Sequence, residues 1–154
     1  MCIRDRYREV LVGGNKENGH GIFYWYEAAQ CGRCHAIFEW GGDAGPVLHG
    51  IASKRSPEYL LESLIRPSAK LADGYGVATL TLNNGETLAG IIQSENDQSI
   101  TLKIGKDEAK EIIKTNIKER EDVPSSMPSV TETLSKKEIR DVLAFLLSLT
   151  DVES

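Results

Sequence analysis

Cysteine is scarce in this sequence, which contains three among its 154 residues. Cys2 lies in the N-terminal stretch MCIRDRYREVLVGG, which carries charges but lacks the apolar segment of a signal peptide. Cys31 and Cys34 remain, and one pair is too few for a secreted domain held together by disulfides. We therefore expect chemistry at this pair rather than a cross-link.

Long apolar runs and clusters of basic residues are missing as well. No stretch approaches the roughly 18 apolar residues of a membrane-spanning helix. No run of lysine and arginine indicates a nucleic-acid partner, and the formal net charge is −5. With 40% hydrophobic and 27% charged residues, the chain has the composition of an ordinary globular domain. We expect no nucleic-acid partner and no membrane span in this chain.

The first residues fit poorly with the rest of the sequence. MCIRDR resembles a translated sequencing adapter of the kind found at the ends of metagenomic gene fragments. We therefore expect residues 1–14 to be a leader that need not be native, and the chain to be a fragment of a longer protein. Residues 151–154 are expected to be a short tail.

Helical patterns are found near the cysteines. Residues 18–30, NGHGIFYWYEAAQ, favour a helix leading into the pair, although two glycines weaken it. Residues 41–50 are predicted to be a loop because they include four glycines and a proline. SPEYLLESLI at 56–65 predicts a short helix that Ser56 caps. The apolar residues of that helix share one face and are Leu60, Leu61, Leu64 and Ile65.

Strand patterns fill residues 75–118. VATLTL alternates, NNG is a hairpin signal, and SITLKI alternates again. We expect four strands in a small antiparallel meander, followed by a polar loop and a last helix. Ser135 and Glu138 form the capping box that predicts the start of this helix. The function of the meander cannot be read from its residues.

CGRCH at 31–35 places two thiols and an imidazole within five residues. A redox dithiol is expected at the start of a helix that follows a buried strand, whereas here a helical segment precedes the pair. A zinc site needs four ligands, and His20 and His49 are the only other histidines. Covalent haem attachment uses every residue, because each thiol adds to one haem vinyl group and His35 ligates the iron. We favour haem and keep a zinc-binding structural domain as an alternative.

Met127 is the favoured ligand on the opposite side of the iron. It lies in the loop PSSMP before the last helix, and Met1 is the only other methionine. A thioether sulfur suits a His/Met haem. A methionine that fills a gap in the core is the alternative explanation. His49, in a glycine-bounded loop, is a competing ligand, and His20 is expected at the surface.

These features together resemble the class I cytochromes c. GHGIF at 19–23 and DVLAFLLSL at 141–149 look like the first and last helices of that family, which cross closely at a glycine. The resemblance places Phe23 in this crossing, against Val142 and Phe145. The stretch from Phe23 to Cys31 is about one helical turn longer than in the simplest members, so the first helix is expected to extend or bulge there.

The resemblance also assigns roles to Gly45 and Pro46. In the family, a proline carbonyl in a Gly-Pro loop accepts the N–H of the proximal histidine, which orients the ring. Gly45 and Pro46 are thus added to Cys31, Cys34, His35 and Met127 as predicted haem-binding residues. His35 and Met127 are the predicted iron ligands.

A closer resemblance covers about residues 15–150. The run from Gly45 to Tyr75, together with SSMP, is similar to haem-binding domains of planctomycetes and verrucomicrobia, which often end proteins carrying a dehydrogenase-like β-propeller. The resemblance implies a mainly α, cytochrome c-like domain at 15–74 and 119–150, with a β-module inserted at 75–118 (α+β overall).

The function that this resemblance implies is electron transfer by one haem c per chain. The chain would be an electron carrier rather than an enzyme, serving a fused or partner dehydrogenase or another cytochrome. It would be periplasmic or exported, since haem is attached in this way outside the cytoplasmic membrane. A haem sensor or catalytic haem domain, with an open or labile distal site, is the alternative.

Overall fold

A computed structural model of the chain describes residues 3–150, so Cys2 and the predicted tail at 151–154 lie outside the described residues. The chain divides into two compact units. The first runs to Ala69 and resumes at Met127, and the second is Lys70–Ser126. Among the helices of the described part, none has the length and apolar character needed to cross a membrane.

The first unit is helical. Its α-helices are α1 (Ile3–Arg6), α2 (Lys16–Trp25), α3 (Ile51–Lys54), α4 (Pro57–Ile65) and α5 (Lys136–Leu147). Short 3-10 turns lie at Arg8–Leu11, Cys31–Arg33 and Val130–Glu132. The predictions for α4 and for the start of α5 are confirmed, because Ser56 caps α4 and both hydrogen bonds of the Ser135–Glu138 capping box are present.

The first long helix ends earlier than its sequence pattern predicts. α2 ends at Trp25, where Tyr26 adopts an extended conformation that breaks the helical hydrogen-bond series. The Tyr26 carbonyl then accepts the N–H groups of Ala29 and Gln30, and Gln30 has a φ of 49°. The prediction of helix as far as residue 30 is therefore wrong beyond Trp25. The additional residues form a compact turn before the cysteines.

The crossing of α2 and α5 depends on Gly19. A Cβ on Gly19 would overlap the carbonyl oxygen of Asp141 and would lie 2.7 Å from the Cβ of Phe145. The rings of Phe23 and Phe145 pack beside this point with centroids 5.5 Å apart. The buried Asp141 also accepts the N–H of Asn15, which caps α2, at 2.8 Å. The expected close crossing at a glycine is confirmed.

The core of the first unit also includes part of the predicted leader. Its buried residues are Val10, Phe23, Ile37, Leu60, Leu61, Leu64, Ile65, Val130, Leu134, Ile139, Val142, Leu143, Phe145 and Leu146. Val10 comes from the 3-10 turn at Arg8–Leu11, and a Cβ on Gly14 would overlap the Arg140 carbonyl oxygen. Residues near the end of the leader therefore pack against α5. That the leader need not be native stays a prediction.

The second unit is an antiparallel sheet. Its strands are β1 (Gly76–Leu82), β2 (Thr87–Glu95), β3 (Ser99–Lys103), β4 (Ala109–Ile113) and β5 (Ile117–Asp122), in the order β4-β3-β2-β1-β5. Ile100, Leu102 and Ile104 contribute to one apolar cluster, as their alternation predicts. β4 and β5 lie at opposite edges, about 19 Å apart if the sheet were flat. Because Ile113 and Ile117 can be at most about 14 Å apart, the sheet must curl.

The predicted fold class is wrong in its emphasis on helix. Helix makes up 34% of the chain and strand 23%, so the fold is α+β rather than mainly α. The meander of four strands was expected, but β5 was not. Its sequence, IKERED, has no apolar alternation, and its residues from Lys118 onward are exposed. Backbone pairing with β1 holds this strand in the sheet, and that pairing has no signature in the strand's own residues.

Candidate functional site

The two thiols and the imidazole lie on one tight turn. Cys31–Arg33 form a 3-10 turn, and the Cys31 carbonyl accepts the N–H groups of Cys34 at 3.2 Å and His35 at 3.0 Å. Both cysteines are free thiols. The turn therefore sets the backbone spacing of the two thiols and the imidazole without a disulfide.

The environment of the thiols does not favour a reactive dithiol. Cys31 is half-buried against the core of the first unit, and this burial raises the pKa of its thiol. A nearby Cys34 sulfur raises that pKa further. Redox-active cysteines need the opposite, a lowered pKa that supplies thiolate at neutral pH. The raised pKa of Cys31 therefore does not favour a redox-active role for this thiol.

His35 is oriented by one short hydrogen bond. Its Nδ1 lies 2.7 Å from the Pro46 carbonyl oxygen. A carbonyl oxygen can only accept, so Nδ1 must carry the proton and Nε2 keeps its lone pair. A hydrogen bond of this kind fixes the tautomer and ring orientation of a metal-binding histidine. The imidazole is thus prepared to ligate a metal through Nε2.

Three glycines let the loop after His35 lie directly on the cysteine turn. A Cβ on Gly45 would lie 2.6 Å from His35 Cε1, and the Gly45 N–H donates to the Cys34 carbonyl at 2.7 Å. A Cβ on Gly41 would overlap the carbonyl oxygen of His35, and a Cβ on Gly42 would overlap that of Arg33. We call residues 36–46 the proximal loop. Its backbone packs against the turn at positions where any larger residue would clash.

Tyr24 is a site residue that the sequence reasoning missed. A Cβ on Gly32 would lie 2.9 Å from Tyr24 Cδ1, so the ring lies over the turn between the cysteines. The Tyr24 hydroxyl donates to the Trp40 carbonyl at 3.4 Å, and burial raises the pKa of Tyr24. The only local signal was the glycine in CGRCH, which indicates close approach but does not identify the partner.

Met127 belongs to the same unit as the cysteine turn. It is half-buried and packs against the core cluster that Cys31 also contacts. The following loop is anchored by Ser129, whose hydroxyl donates to the Ile65 carbonyl at the end of α4 at 2.8 Å. The chain therefore holds Met127 at the edge of the helical core. Its role as an iron ligand stays a prediction.

The two other histidines have different surroundings. The His49 ring stacks on Phe38 with centroids 5.2 Å apart and planes 9° apart, and its Nδ1 accepts the Phe38 N–H at 3.4 Å. His49 is therefore bound to the proximal loop. His20 packs against Tyr24 and the edge of Phe145. Within residues 3–150, no group of three or more His, Cys, Asp or Glu is placed to hold a metal ion.

The donor set fits a covalently attached haem. Two free thiols stand on one turn, and the next residue is an imidazole whose Nε2 is left available by the bond to Pro46. The proximal loop can pack against the His35 imidazole only because Gly45 has no side chain. Zinc would require further ligands, and a dithiol would not require the imidazole.

A protein-family model matches most of the chain. The family model described as "Cytochrome c" matches residues 24–150. The match begins in α2 and includes the cysteine turn, the proximal loop, Met127 and α5. A comparison with curated proteins finds no match.

Proposed function

The chain belongs to the cytochrome c family, whose domains bind haem and transfer electrons, and from this premise we propose that it carries one haem c with His/Met axial ligation. The observation that supports this most strongly is the cysteine turn with His35 oriented by Pro46 at 2.7 Å. In this proposal Cys31 and Cys34 hold the haem through two thioether bonds, and His35 and Met127 are the axial ligands. When bound, the haem supplies a one-electron couple.

The protein's own residues set the properties of that couple. The Pro46 carbonyl holds the His35 ring in one orientation, with Nε2 directed to bind a metal. Met127 provides a thioether, which raises the reduction potential relative to a second histidine. If His35 and Met127 both ligate the iron, they would leave no open position for a substrate. The residues therefore support an electron carrier rather than an enzyme.

The partner and location follow from the same proposal. We propose that the chain exchanges electrons with a protein, either a dehydrogenase domain or another cytochrome. Since covalent haem of this type is attached outside the cytoplasmic membrane, the proposed location is periplasmic or exported. We also propose that the β-sheet unit is a module inserted between the cysteine turn and the Met127 loop.

The binding of carbon monoxide tests whether the iron is fully ligated by the protein. We expect the ferric haem-loaded chain to show the weak far-red methionine-to-iron band. The absorption spectrum of the ferrous form should not change when carbon monoxide is added. Met127→Ala should lose the far-red band and bind carbon monoxide, because it opens one axial position. The matched control is His49→Asn, which alters the competing candidate and should behave as wild type.

A sensor or catalytic haem would give the opposite result. Rapid carbon monoxide binding by the unaltered chain, or a far-red band that survives in Met127→Ala, would show that Met127 is not the sixth ligand. Absence of the far-red band from the unaltered chain, together with carbon monoxide binding by His49→Asn and not by Met127→Ala, would assign the ligand to His49.

A further inference from the structure

Two strongly exposed aromatic side chains lie on the turn that follows His35. Phe38 and Trp40 are 72% and 76% exposed. Ile37 and Trp40 close this turn as a β-bridge, with the Ile37 N–H donating to the Trp40 carbonyl at 2.9 Å. We call residues 37–40 the aromatic turn. Two adjoining aromatic side chains left in water mark a contact surface, because apolar groups of this size are usually covered.

The aromatic turn is held in a strained conformation. Phe38 has a φ of 56°, in the left-handed region that bulky residues rarely adopt. The conformation persists because the His49 ring lies parallel to the Phe38 ring and His49 Nδ1 accepts the Phe38 N–H. Strain of this type tends to occur at functional sites. Here it keeps an aromatic side chain exposed instead of letting it fold onto the core.

The aromatic turn is attached directly to the proposed iron ligand. Gly41 follows Trp40, and its α-carbon lies so close to the His35 carbonyl that a Cβ would overlap the oxygen. On the other side, Tyr24 joins the Trp40 carbonyl to α2. Electron exchange between proteins requires that the redox centre and the partner be close. A surface beside the ligand's own backbone is suited to that contact.

Two carboxylates lie in or just after the aromatic turn. Glu39 lies within the turn and Asp43 lies just after it, and both are exposed. No salt bridge among residues 3–150 involves either carboxylate. A partner that covers Phe38 and Trp40 would bring its rim against these carboxylates. Lysine or arginine there would be attracted, whereas an acidic rim would be repelled.

We propose that the aromatic turn is the docking surface for the redox partner, a protein that offers an apolar patch within a rim of lysine or arginine. This inference rests on the proposed electron-transfer function, because it assigns the partner's contact to the same site. Trp40 would supply the central anchor, Phe38 the flanking contact, and Glu39 and Asp43 the electrostatic attraction.

The test uses a chain that contains only two tryptophans, Trp25 and Trp40. Trp25 is 81% exposed and serves as the matched control for Trp40. The ¹⁵N-labelled, haem-loaded, reduced chain is titrated at low ionic strength with unlabelled reduced mitochondrial-type cytochrome c, a basic protein with a lysine rim around an apolar patch. The indole N–H signals are assigned by replacing each tryptophan in turn.

We expect the Trp40 indole signal to shift on titration and the Trp25 signal to stay in place. Trp40→Ser should weaken binding about tenfold, as truncation of an anchor does, while Trp25→Ser should change it less than about twofold. Phe38→Asn should also weaken binding, because asparagine tolerates the left-handed conformation and removes only the ring. Glu39→Gln should weaken binding and reduce its dependence on salt.

Four results would overturn the proposal. This surface is excluded as the partner's site if neither indole signal shifts or if both shift equally. It is also excluded if Trp40→Ser and Trp25→Ser bind the partner with equal affinity. A concentration-dependent dimer that Trp40→Ser abolishes, seen by light scattering, would show that a second copy of this chain covers the turn. Haem attachment and reduction by ascorbate are checked first in every variant. If the unaltered chain does not attach haem or is not reduced, the proposed function is contradicted. If it does both and only the titration fails, the docking surface alone is contradicted.

Discussion

At the residue scale, the site depends on positions where a backbone atom must lie against a side chain or a carbonyl. Gly45 is the clearest case, because its α-carbon faces the imidazole of His35 and its N–H is bound to Cys34. The adjoining Pro46 carbonyl is the acceptor that orients the same ring. The position of His35 therefore depends on two neighbouring residues. Gly45 leaves room for the ring because it has no side chain, and the Pro46 carbonyl accepts the hydrogen bond of the ring.

Gly45→Ala tests this dependence. The new methyl group would lie 2.6 Å from His35 Cε1, so the ring or the loop must move and the bond to Pro46 must weaken. We expect the free energy of unfolding of the haem-loaded chain to fall by about 1–3 kcal/mol, as for other overpacked sites. Guanidinium denaturation measures this change. Gly105→Ala is the control, since the nearest atom would be 3.9 Å away, and equal effects of the two substitutions would contradict the account.

The sequence allowed part of the site to be predicted at this scale. Cys31, Cys34 and His35 could be named as candidates because their spacing is what the attachment chemistry requires, and their role in holding haem stays a prediction. Pro46 could be connected to His35 only through the resemblance to a family. Tyr24 could not be predicted, because its contact with Gly32 joins two segments that no local pattern relates.

At the element scale, the crossing of α2 and α5 depends on the lack of a side chain at Gly19. Gly19→Ala would place a methyl group on the Asp141 carbonyl oxygen and force the helices apart. We expect it to lower the free energy of unfolding by about 2 kcal/mol or more. Gly21→Ala, in the same helix, meets nothing within 4 Å and should raise stability by about 0.5–1 kcal/mol through helix propensity. Similar effects of both substitutions, measured by denaturation, would refute the close crossing.

A second element-scale prediction concerns the ion pairs of the sheet. Glu95 on β2 contacts Arg120 on β5 at 2.6 Å and Lys114 at 2.8 Å. Hydrogen bonds from Arg120, and then from Lys114, lower the pKa of Glu95 to about 2. A carboxylate with a lowered folded-state pKa stabilises the fold above its unfolded pKa of about 4.3, and this contribution is lost as the pH falls towards about 2.

The expected size of this effect is modest because the groups are partly exposed. Glu95→Gln should lower the free energy of unfolding of the sheet by about 1 kcal/mol or less at neutral pH. The difference from wild type should shrink as the pH falls from about 5 to about 2. Glu86→Gln is the control, because Glu86 meets Lys110 only at 3.7 Å and both groups are exposed. A difference between wild type and Glu95→Gln that does not vary with pH would contradict the assignment.

Elements were predictable where the pattern was local. The Ser56 cap of α4, the capping box of α5 and the apolar faces of both identify helices by themselves, and the alternation in β3 identifies a buried strand. β5 was missed because its pairing with β1 depends on residues about 40 positions earlier in the chain. The early end of α2 was missed because it depends on the backbone conformation of Tyr26 rather than on a proline or glycine.

At the scale of the whole molecule, the chain has two apolar cores. One gathers helical residues from both ends of the chain, and the other lies within the sheet. The family match extends across both, from residue 24 to residue 150. The packing of Val10 into the helical core was not predicted, since the first residues were expected to be a leader that need not be native.

The measurement that tests the central claim most directly is whether haem stays with the protein after acid-acetone extraction. The full chain is exported in a host with a cytochrome c maturation system and purified with a Cys31→Ser/Cys34→Ser double variant. We predict that haem absorbance remains with the unaltered chain and is extracted completely from the variant. No covalent haem on the unaltered chain, in a strain that matures a control cytochrome, would contradict the account.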